Sequence, residues 1–418
     1  MQDWITIMKT TTFTCLALLI LTLPAARGEP LRTDINPALL YYQAFLLASN
    51  SMSNADEEYS WSKAGREQKL PERFGQILAG YDDEFKLVRE AVQQKVPCDW
   101  GIDLRSKGND AQLPYLSRAK AVAQAARVRV MWDLQHGNQT GARDDLLAAF
   151  VLGRNVSHDG TVISGLVQYA IEVLEFSAVA ENFGQFSPET LKLLVEGFDA
   201  APARGSVATA IATEKLVFAD WFANKIRKLQ QENPGNDTKV MEAIRGYADD
   251  ERDTNVWQRI VTASGGTSDG VLKLLYEMEP LYPRLAKIMT LPLPEYEDQI
   301  QKFDAEIRKS QNPFVSCAFP NSFQSPRRRE IRSQLQQSMV RAAVEYKLHG
   351  EAGLKSVMDP CGNGPFAFKR FVFEGVDRGF ELKSTYPGLG SPCALIFVEK
   401  EGTPFNIEEP HIGQAVKP

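Results

Sequence analysis

The stretch between positions 160 and 184 constrains the fold more than any other part of the sequence. Its apolar residues recur at intervals of three and four, which places them on one face of an α-helix. These residues are Ile163, Leu166, Val167, Ala170, Ile171, Leu174 and Ala178. A second helical pattern covers 140–158, and only a short link separates the two. Because short links force successive helices to reverse direction, the pattern predicts antiparallel packing.

Helical periodicity continues from Asn36 to about position 291. "NPALLYYQAFLLAS" begins with an Asn cap followed by Pro, "SPETLKLLVEGF" begins with a Ser cap, and a longer helix is expected over 206–231. Positions 126–153 look like one tetratricopeptide-type helix pair. The pair does not recur with a 34-residue period, so no repeat array is established. We therefore predict a mainly α fold, an irregular antiparallel helical bundle or solenoid.

The C-terminal part has a different pattern. After a long predicted helix over about 326–348, three stretches with alternating apolar residues, 366–375, 379–386 and 393–400, indicate short antiparallel strands. Three strands need a covering surface, and the preceding helix is the natural one. We expect Pro292 and Pro294 to extend the backbone around 290–299. The predicted division is a helical domain over 29–291, a helix-and-strand unit over 292–400 and a loose tail over 401–418.

The N-terminus has the pattern of a secretory signal peptide. The apolar run "FTCLALLILTL" at 13–23 is followed by small residues at Ala26 and Gly28, so cleavage would leave Glu29 at the start of the mature chain. The run is short for a membrane span, although an uncleaved anchor remains an alternative. The segment "MQDWITI" carries Asp3 and no basic residue, which is unusual for a signal peptide, and a start at Met8 gives a more ordinary opening; the sequence does not decide between Met1 and Met8. The sequence thus predicts a signal peptide over 1–28, a periplasmic or extracellular location and no stable membrane span after cleavage.

The net charge and the cysteine content bear on two further questions, nucleic-acid binding and disulfide bonding. The 418 residues carry a net charge of −6, which argues against the basic surface that nucleic-acid binding requires. Four cysteines follow the signal segment, and an exported chain can pair them in three ways. We predict Cys361–Cys393, because both flank the strand-rich region, and Cys98–Cys317 by elimination. Four free, buried thiols are the alternative.

Several segments together resemble a broad group of exported bacterial proteins of uncharacterised function. The segments are "INPALLYYQAF", "PCDWGID", "LPYLSRAKAVAQAARVR", "DLLAAFVLGRNVS", "TVISGLVQYAIE" and "DPCGNGPFAFKRF". The resemblance covers most of the chain. It implies an exported helical protein and carries no catalytic residues with it.

Three polar residues fall at unexpected helical positions. Glu214 lies within the apolar face of the helix predicted over 206–231. Arg154 and His158 leave the apolar face at the end of the helix predicted over 140–158. A carboxylate with a raised pKa, an Arg fork and a His form a plausible acid–base cluster. The alternative is structural, because buried Glu–Arg pairs often only orient helices.

The loop "VPCDWGIDL" at 96–104 permits two interpretations. Trp100 could line a sugar or peptide groove, with Asp99 and Asp103 binding a cation. Alternatively, Trp100 is a core plug, Asp99 accepts backbone N–H groups in a turn and Asp103 caps the next helix. The chain lacks HExxH, GxSxG, P-loop and CxxC motifs, and its four histidines are far apart in sequence. We therefore predict no metal site and no cofactor.

Two functions are compatible with these observations. The leading one is an exported interaction or scaffold module that binds a protein or peptide partner along a helical surface. The alternative is a secreted hydrolase-type enzyme that uses Glu214, Arg154 and His158.

Overall fold

A computed structural model describes residues 34–47, 52–62, 69–248, 255–319, 323–373, 375–386 and 393–400. The predicted signal peptide over 1–28 and the predicted tail over 401–418 lie outside the described residues.

The described chain is mainly α-helical with one small sheet, as predicted. The helices are α1 Pro37–Leu47, α2 Asn54–Trp61, α3 Arg73–Ala79, α4 Asp82–Val92, α5 Leu104–Lys107, α6 Tyr115–Gln135, α7 Gln139–Val156, α8 Val162–Glu181, α9 Pro188–Ala200, α10 Val207–Lys215, α11 Trp221–Glu232, α12 Asp237–Ala248, α13 Val256–Ala263, α14 Ser268–Met278, α15 Leu281–Met289, α16 Leu293–Ile307, α17 Pro313–Ala318 and α18 Gln324–Ser356. A π-helical turn, Leu216–Asp220, joins α10 to α11.

Helices α6, α7 and α8 form the centre of the fold and pack against one another. The turns between them are short, and each following helix begins at a side-chain cap. Asn138 accepts a hydrogen bond from the backbone N–H of Gly141, and Thr161 accepts one from that of Ser164. The predicted antiparallel helix pair over 126–153 corresponds to α6 and α7.

Helix α8 differs from its prediction in which face it buries. Ile163 is 55% exposed and Ala170 is also exposed, although both belong to the predicted apolar stripe. Gln168, Glu172 and Glu175 are fully buried instead. The helix is enclosed by protein on its polar side, so its buried groups must find partners inside the fold. By length and composition α8 could also cross a membrane, but 61% of its most apolar window is buried within the protein.

The largest hydrophobic cluster extends from α6 to the C-terminal strands and includes residues on both sides of position 291. A second cluster collects α1, α4 and parts of α6 and α7 around Trp100. The core of the helical part and that of the C-terminal part are therefore continuous across the predicted boundary.

The proline-rich segment near 292 begins a helix that the sequence analysis did not predict. Pro292 has an extended conformation, as expected, but it stands immediately before α16, with Pro294 in the first turn. Proline is favoured there because the first helical N–H groups have no partner within the helix. The segment α18, Gln324–Ser356, is interrupted at Gly350, whose φ of 64° and ψ of −150° are not helical. Its long first part therefore ends close to the predicted limit at 348, and a short helical stretch follows the kink.

Three antiparallel strands form the predicted C-terminal sheet, in the order β1 Ala367–Phe373, β2 Val376–Lys383 and β3 Ala394–Val398. A register shift interrupts the β1–β2 ladder between Phe371 and Val372. The sheet packs on α18 as predicted, because the ring of Tyr346 lies 4.9 Å from that of Phe368 and 5.0 Å from that of Phe380.

No disulfide joins the described cysteines Cys98, Cys361 and Cys393. The side chain of Cys317 lies outside the described residues, so the Cys98–Cys317 bond stays a prediction. Cys361 and Cys393 are neighbours, and burial raises the pKa of each thiol, to about 12 and about 11. Their disulfide also remains a prediction, and as thiols they are protonated at neutral pH.

Candidate functional site

A cleft of about 570 Å³ opens beside the N-terminus of α8. Its walls come from α5 and the segment that follows it, from the first residues of α8, and from the junction of α10 with the π-helical turn. The lining residues are Leu104, Gly108, Asn109, Ala111, Leu113, Leu116, Thr161, Val162, Ile163, Leu166, Glu214 and Val217. The walls are thus mainly aliphatic, and Glu214 is the charged side chain among the described lining residues.

Glu214 is half-buried at the wall of this cleft. Its Oε1 accepts a hydrogen bond of 2.8 Å from the backbone N–H of Val162, the first residue of α8. Burial raises the pKa of this carboxyl, the negative charge of Asp159 raises it further, and the Val162 N–H opposes the rise. The carboxylate therefore accepts the first N–H group of α8, beside the Thr161 cap. A cation that enters the cleft would stabilise the charged form of Glu214.

Asp159 organises the loop that leads into α8. Its Oδ1 accepts the backbone N–H of Thr161 at 2.8 Å, and its Oδ2 accepts the hydroxyl of Ser164 at 2.6 Å and that of Tyr115. Two carboxylates thus lie at one helix N-terminus, where the helix dipole favours negative charge. This end of the cleft is electronegative.

The adjacent lysine does not neutralise Glu214. Lys215 Nζ lies 2.6 Å from Asp220 Oδ1, across the π-helical turn, and 4.0 Å from Glu279 Oε1. π-Helical turns insert one residue into a helix and frequently occur at functional sites. Here the turn contributes Val217 to the cleft wall.

Trp221, which follows the π-helical turn, packs directly on the backbone of Gly108. A Cβ atom on Gly108 would lie 2.1 Å from Cγ of Trp221, and Gly108 has a φ of 55°. Both the close approach and the positive φ require glycine. This contact joins α11 to the opposite wall of the cleft.

The structure does not bring Glu214, Arg154 and His158 together, since each has its own partners. Arg154 is buried and its Nε lies 2.8 Å from Glu172 Oε1. His158 is exposed, and its Nδ1 lies 3.3 Å from the carbonyl oxygen of Cys98. The hydrolase alternative gains no support from this geometry.

Arg154 belongs instead to a buried network centred on Glu172, which the sequence analysis missed. Glu172 Oε2 lies 2.8 Å from Nη2 of Arg204 and accepts the hydroxyl of Ser333, while Oε1 accepts the amide of Gln168 at 2.9 Å. The network joins α7, α8, the segment before α10 and α18. Polar residues at every fourth position of α8 were the available signal, but their partners are distant in sequence.

The loop around Trp100 has the contacts of the structural interpretation. Trp100 is 4% exposed, stacks on Tyr115 at 4.1 Å and donates its Nε1–H to the carbonyl oxygen of Asn155 at 2.8 Å. Asp99 Oδ1 accepts the backbone N–H of Gly101, and the side chain of Asp103 caps α5. These contacts support a plug and turn rather than a groove.

No family model, curated protein or solved structure matches this chain. Over the described ranges, no group of three or more His, Cys, Asp or Glu side chains is placed to hold a metal ion.

Proposed function

We propose that this protein is an exported helical interaction module whose Glu214 cleft binds an aliphatic, positively charged segment of a protein or peptide. The observation that carries the proposal is a cleft of about 570 Å³ with aliphatic walls and one half-buried carboxylate. Aliphatic side chains of a partner gain free energy by leaving water, and its ammonium or guanidinium group pairs with Glu214.

The exposed apolar surface of α8 supports a macromolecular partner. Ile163 lines the cleft and is 55% exposed, Ala170 is exposed, and Leu166 and Val167 are half-buried. An apolar helix face that continues out of a cleft is typical of a docking surface for an extended chain. The negative charge of Glu214 and Asp159 at one end of the cleft favours a partner that carries a Lys or Arg next to its aliphatic residue.

Export is supported by the apolar run at 13–23 and the small residues Ala26 and Gly28. N-terminal sequencing of the secreted protein should then begin at Glu29. A chain recovered with residues 13–23 attached would contradict cleavage.

The binding proposal is tested by selecting random heptapeptides on the immobilised full chain and measuring their affinities by fluorescence polarisation. We expect enrichment of Leu or Ile next to Lys or Arg. Ile163→Asp and Glu214→Gln should each weaken an enriched peptide about tenfold, because they remove an apolar contact and a charge pair. Glu196→Gln, on the exposed surface of α9, is the matched control.

A double-mutant cycle isolates the charge pair. Replacing the peptide lysine with norleucine should weaken binding to the natural protein but not to Glu214→Gln. Equal losses in both proteins, or peptide affinities insensitive to Ile163→Asp, would contradict this site. Circular dichroism of the variants shows whether α8, which Glu214 caps, is retained.

A further inference from the structure

Two arginines and one carboxylate meet between α7, α18 and the segment that precedes α10. Nε of Arg154 lies 2.8 Å from Glu172 Oε1, and Nη2 of Arg204 lies 2.8 Å from Glu172 Oε2. The Nη2 groups of both arginines also donate to Oε1 of Gln337, at 3.2 Å and 2.8 Å. The two guanidinium groups are therefore neighbours that share one carboxylate and one neutral amide oxygen.

This cluster carries an excess of one positive charge. Among the described residues, Glu172 is the only carboxylate paired with either arginine, and the buried Glu330 is paired with Arg327 at 2.8 Å. Burial lowers the pKa of Arg154 to about 10, while the charge of Glu172 opposes this effect and the like charge of Arg204 adds to it. A buried charge without full compensation is unfavourable, so an anion that reaches the two arginines is bound favourably.

One nitrogen of each guanidinium is available to such an anion. Within the described part of the chain, Nη1 of Arg154 and Nη1 of Arg204 make no hydrogen bond, and neither nitrogen is sealed from solvent. The two side chains are 7% and 14% exposed, so each guanidinium is held by its inner contacts while its Nη1 stays accessible. Guanidinium N–H groups fixed in this way bind carboxylates through charge-assisted hydrogen bonds.

We propose that Arg154 and Arg204 together bind the carboxylate of a small molecule or of a peptide C-terminus. Each Nη1 donates to one oxygen of that carboxylate. Its single negative charge equals the excess charge of the cluster, whereas a phosphate dianion would exceed it. The proposal is independent of the Glu214 cleft, because Glu172 lies nine positions after Ile163 in α8 and therefore on the opposite face of that helix.

Isothermal titration calorimetry of the full chain at low ionic strength tests the site with acetate and with N-acetylglycine, which has the terminal group of a peptide. N-acetylglycinamide, which lacks the charge, should not bind. Arg204→Gln should weaken both anions about tenfold, because it removes a charge-assisted hydrogen bond and the excess charge. Arg143→Gln is the matched control and should leave both affinities unchanged, since Arg143 pairs one to one with Asp144. Tighter binding of N-acetylglycine than of acetate indicates a peptide C-terminus, and equal binding indicates a small carboxylate.

Gln337→Glu tests the charge balance without removing either arginine. The new carboxylate lies against both Nη2 groups and supplies the missing negative charge, so we expect a higher Tm together with at least tenfold weaker acetate binding. Gln258→Glu, exposed on α13, makes the same charge change elsewhere and should alter neither quantity. Absence of heat with millimolar acetate and N-acetylglycine would overturn the site, as would an acetate affinity unaffected by Gln337→Glu. Inorganic phosphate binding more tightly than acetate would overturn the assignment to a carboxylate.

Discussion

Glu84 is a carboxylic acid held in a place that disfavours its charge. It is 3% exposed in α4, and its Oε2 has no hydrogen-bond partner among the described groups. Burial raises its pKa from 4.5 to about 7, although the charges of Arg118 and Arg129 oppose the rise. The folded protein therefore holds this proton more tightly than the unfolded chain does.

The pH dependence of stability follows from this shift. Below pH 4.5 the Glu84 carboxyl is protonated in both the folded protein and the unfolded chain, so its raised pKa does not lower the free energy of unfolding. As the pH rises from 4.5 to about 7, the carboxyl loses its proton in the unfolded chain before it does so in the folded protein, so the free energy of unfolding falls. Above pH 7 the carboxyl is charged in both states, and the full destabilisation from burying that charge is present. Glu84→Gln should remove this dependence and stabilise the protein at pH 8 by at most about 3 kcal/mol.

Urea unfolding at pH 5 and pH 8 measures this effect. We expect the variant and the natural protein to differ little at pH 5 and most at pH 8. Glu90→Gln, on the exposed side of the same helix, should leave the pH profile unchanged. A Glu84→Gln gain of the same size at both pH values would mean that the carboxyl is not the source.

At the scale of elements, the contact between Gly108 and the π-helical turn positions two walls of the cleft. Gly108→Ala would place a methyl group against Trp221 in addition to straining a positive φ. Gly101 also has a positive φ, 68°, but nothing lies within 4 Å of its Cβ position. Comparing Gly101→Ala with Gly108→Ala therefore distinguishes the cost of backbone strain alone from the added cost of a steric clash with Trp221.

We expect Gly101→Ala to cost about 1 kcal/mol and Gly108→Ala about 1–3 kcal/mol more, because only the second also overpacks an aromatic ring. Chemical denaturation monitored by far-UV circular dichroism measures both. Gly108→Ala should also weaken peptide binding in the cleft. Equal costs for the two substitutions would show that Trp221 moves away freely.

Helix boundaries were predictable because their signals are local. Ser187 accepts a backbone N–H three residues later, as the predicted Ser cap indicated, and Ser206 does the same at the start of the helix predicted over 206–231. The buried face of α8 was not predictable, because the partners of Glu172 come from elsewhere. Arg204 is 32 positions away and Ser333 is 161. The Glu214 position on an apolar face was visible in the sequence, but its contact with Val162 depends on the packing of α10 against α8.

At the scale of the whole molecule, Glu172 of α8 links α7, the segment before α10 and α18, which are far apart in the sequence. The buried Arg154 and the half-buried Arg204 both pair with its carboxylate. Glu172→Gln would leave both with no carboxylate at their present contacts and should destabilise the protein by about 3–5 kcal/mol.

Guanidinium unfolding provides the measurement, with Glu196→Gln as the exposed control that should change stability by less than about 0.5 kcal/mol. The loss should appear as a lower midpoint with a similar slope, because the substitution changes stability and not the surface area exposed on unfolding. A midpoint shift as small as that of the control would show that the network contributes little to stability.

The open edge of β1 has a consequence for copies of this protein that meet one another. Within the described residues, β1 has a strand neighbour on one side only. Lys369 is exposed on β1 and brings positive charge to this edge, whereas Arg370 pairs with Asp377 and Glu399. The register shift leaves Arg378 of β2 opposite no residue of β1, which makes the ladder beside this edge irregular. We expect these features to make edge-to-edge pairing between the β1 strands of two copies unfavourable.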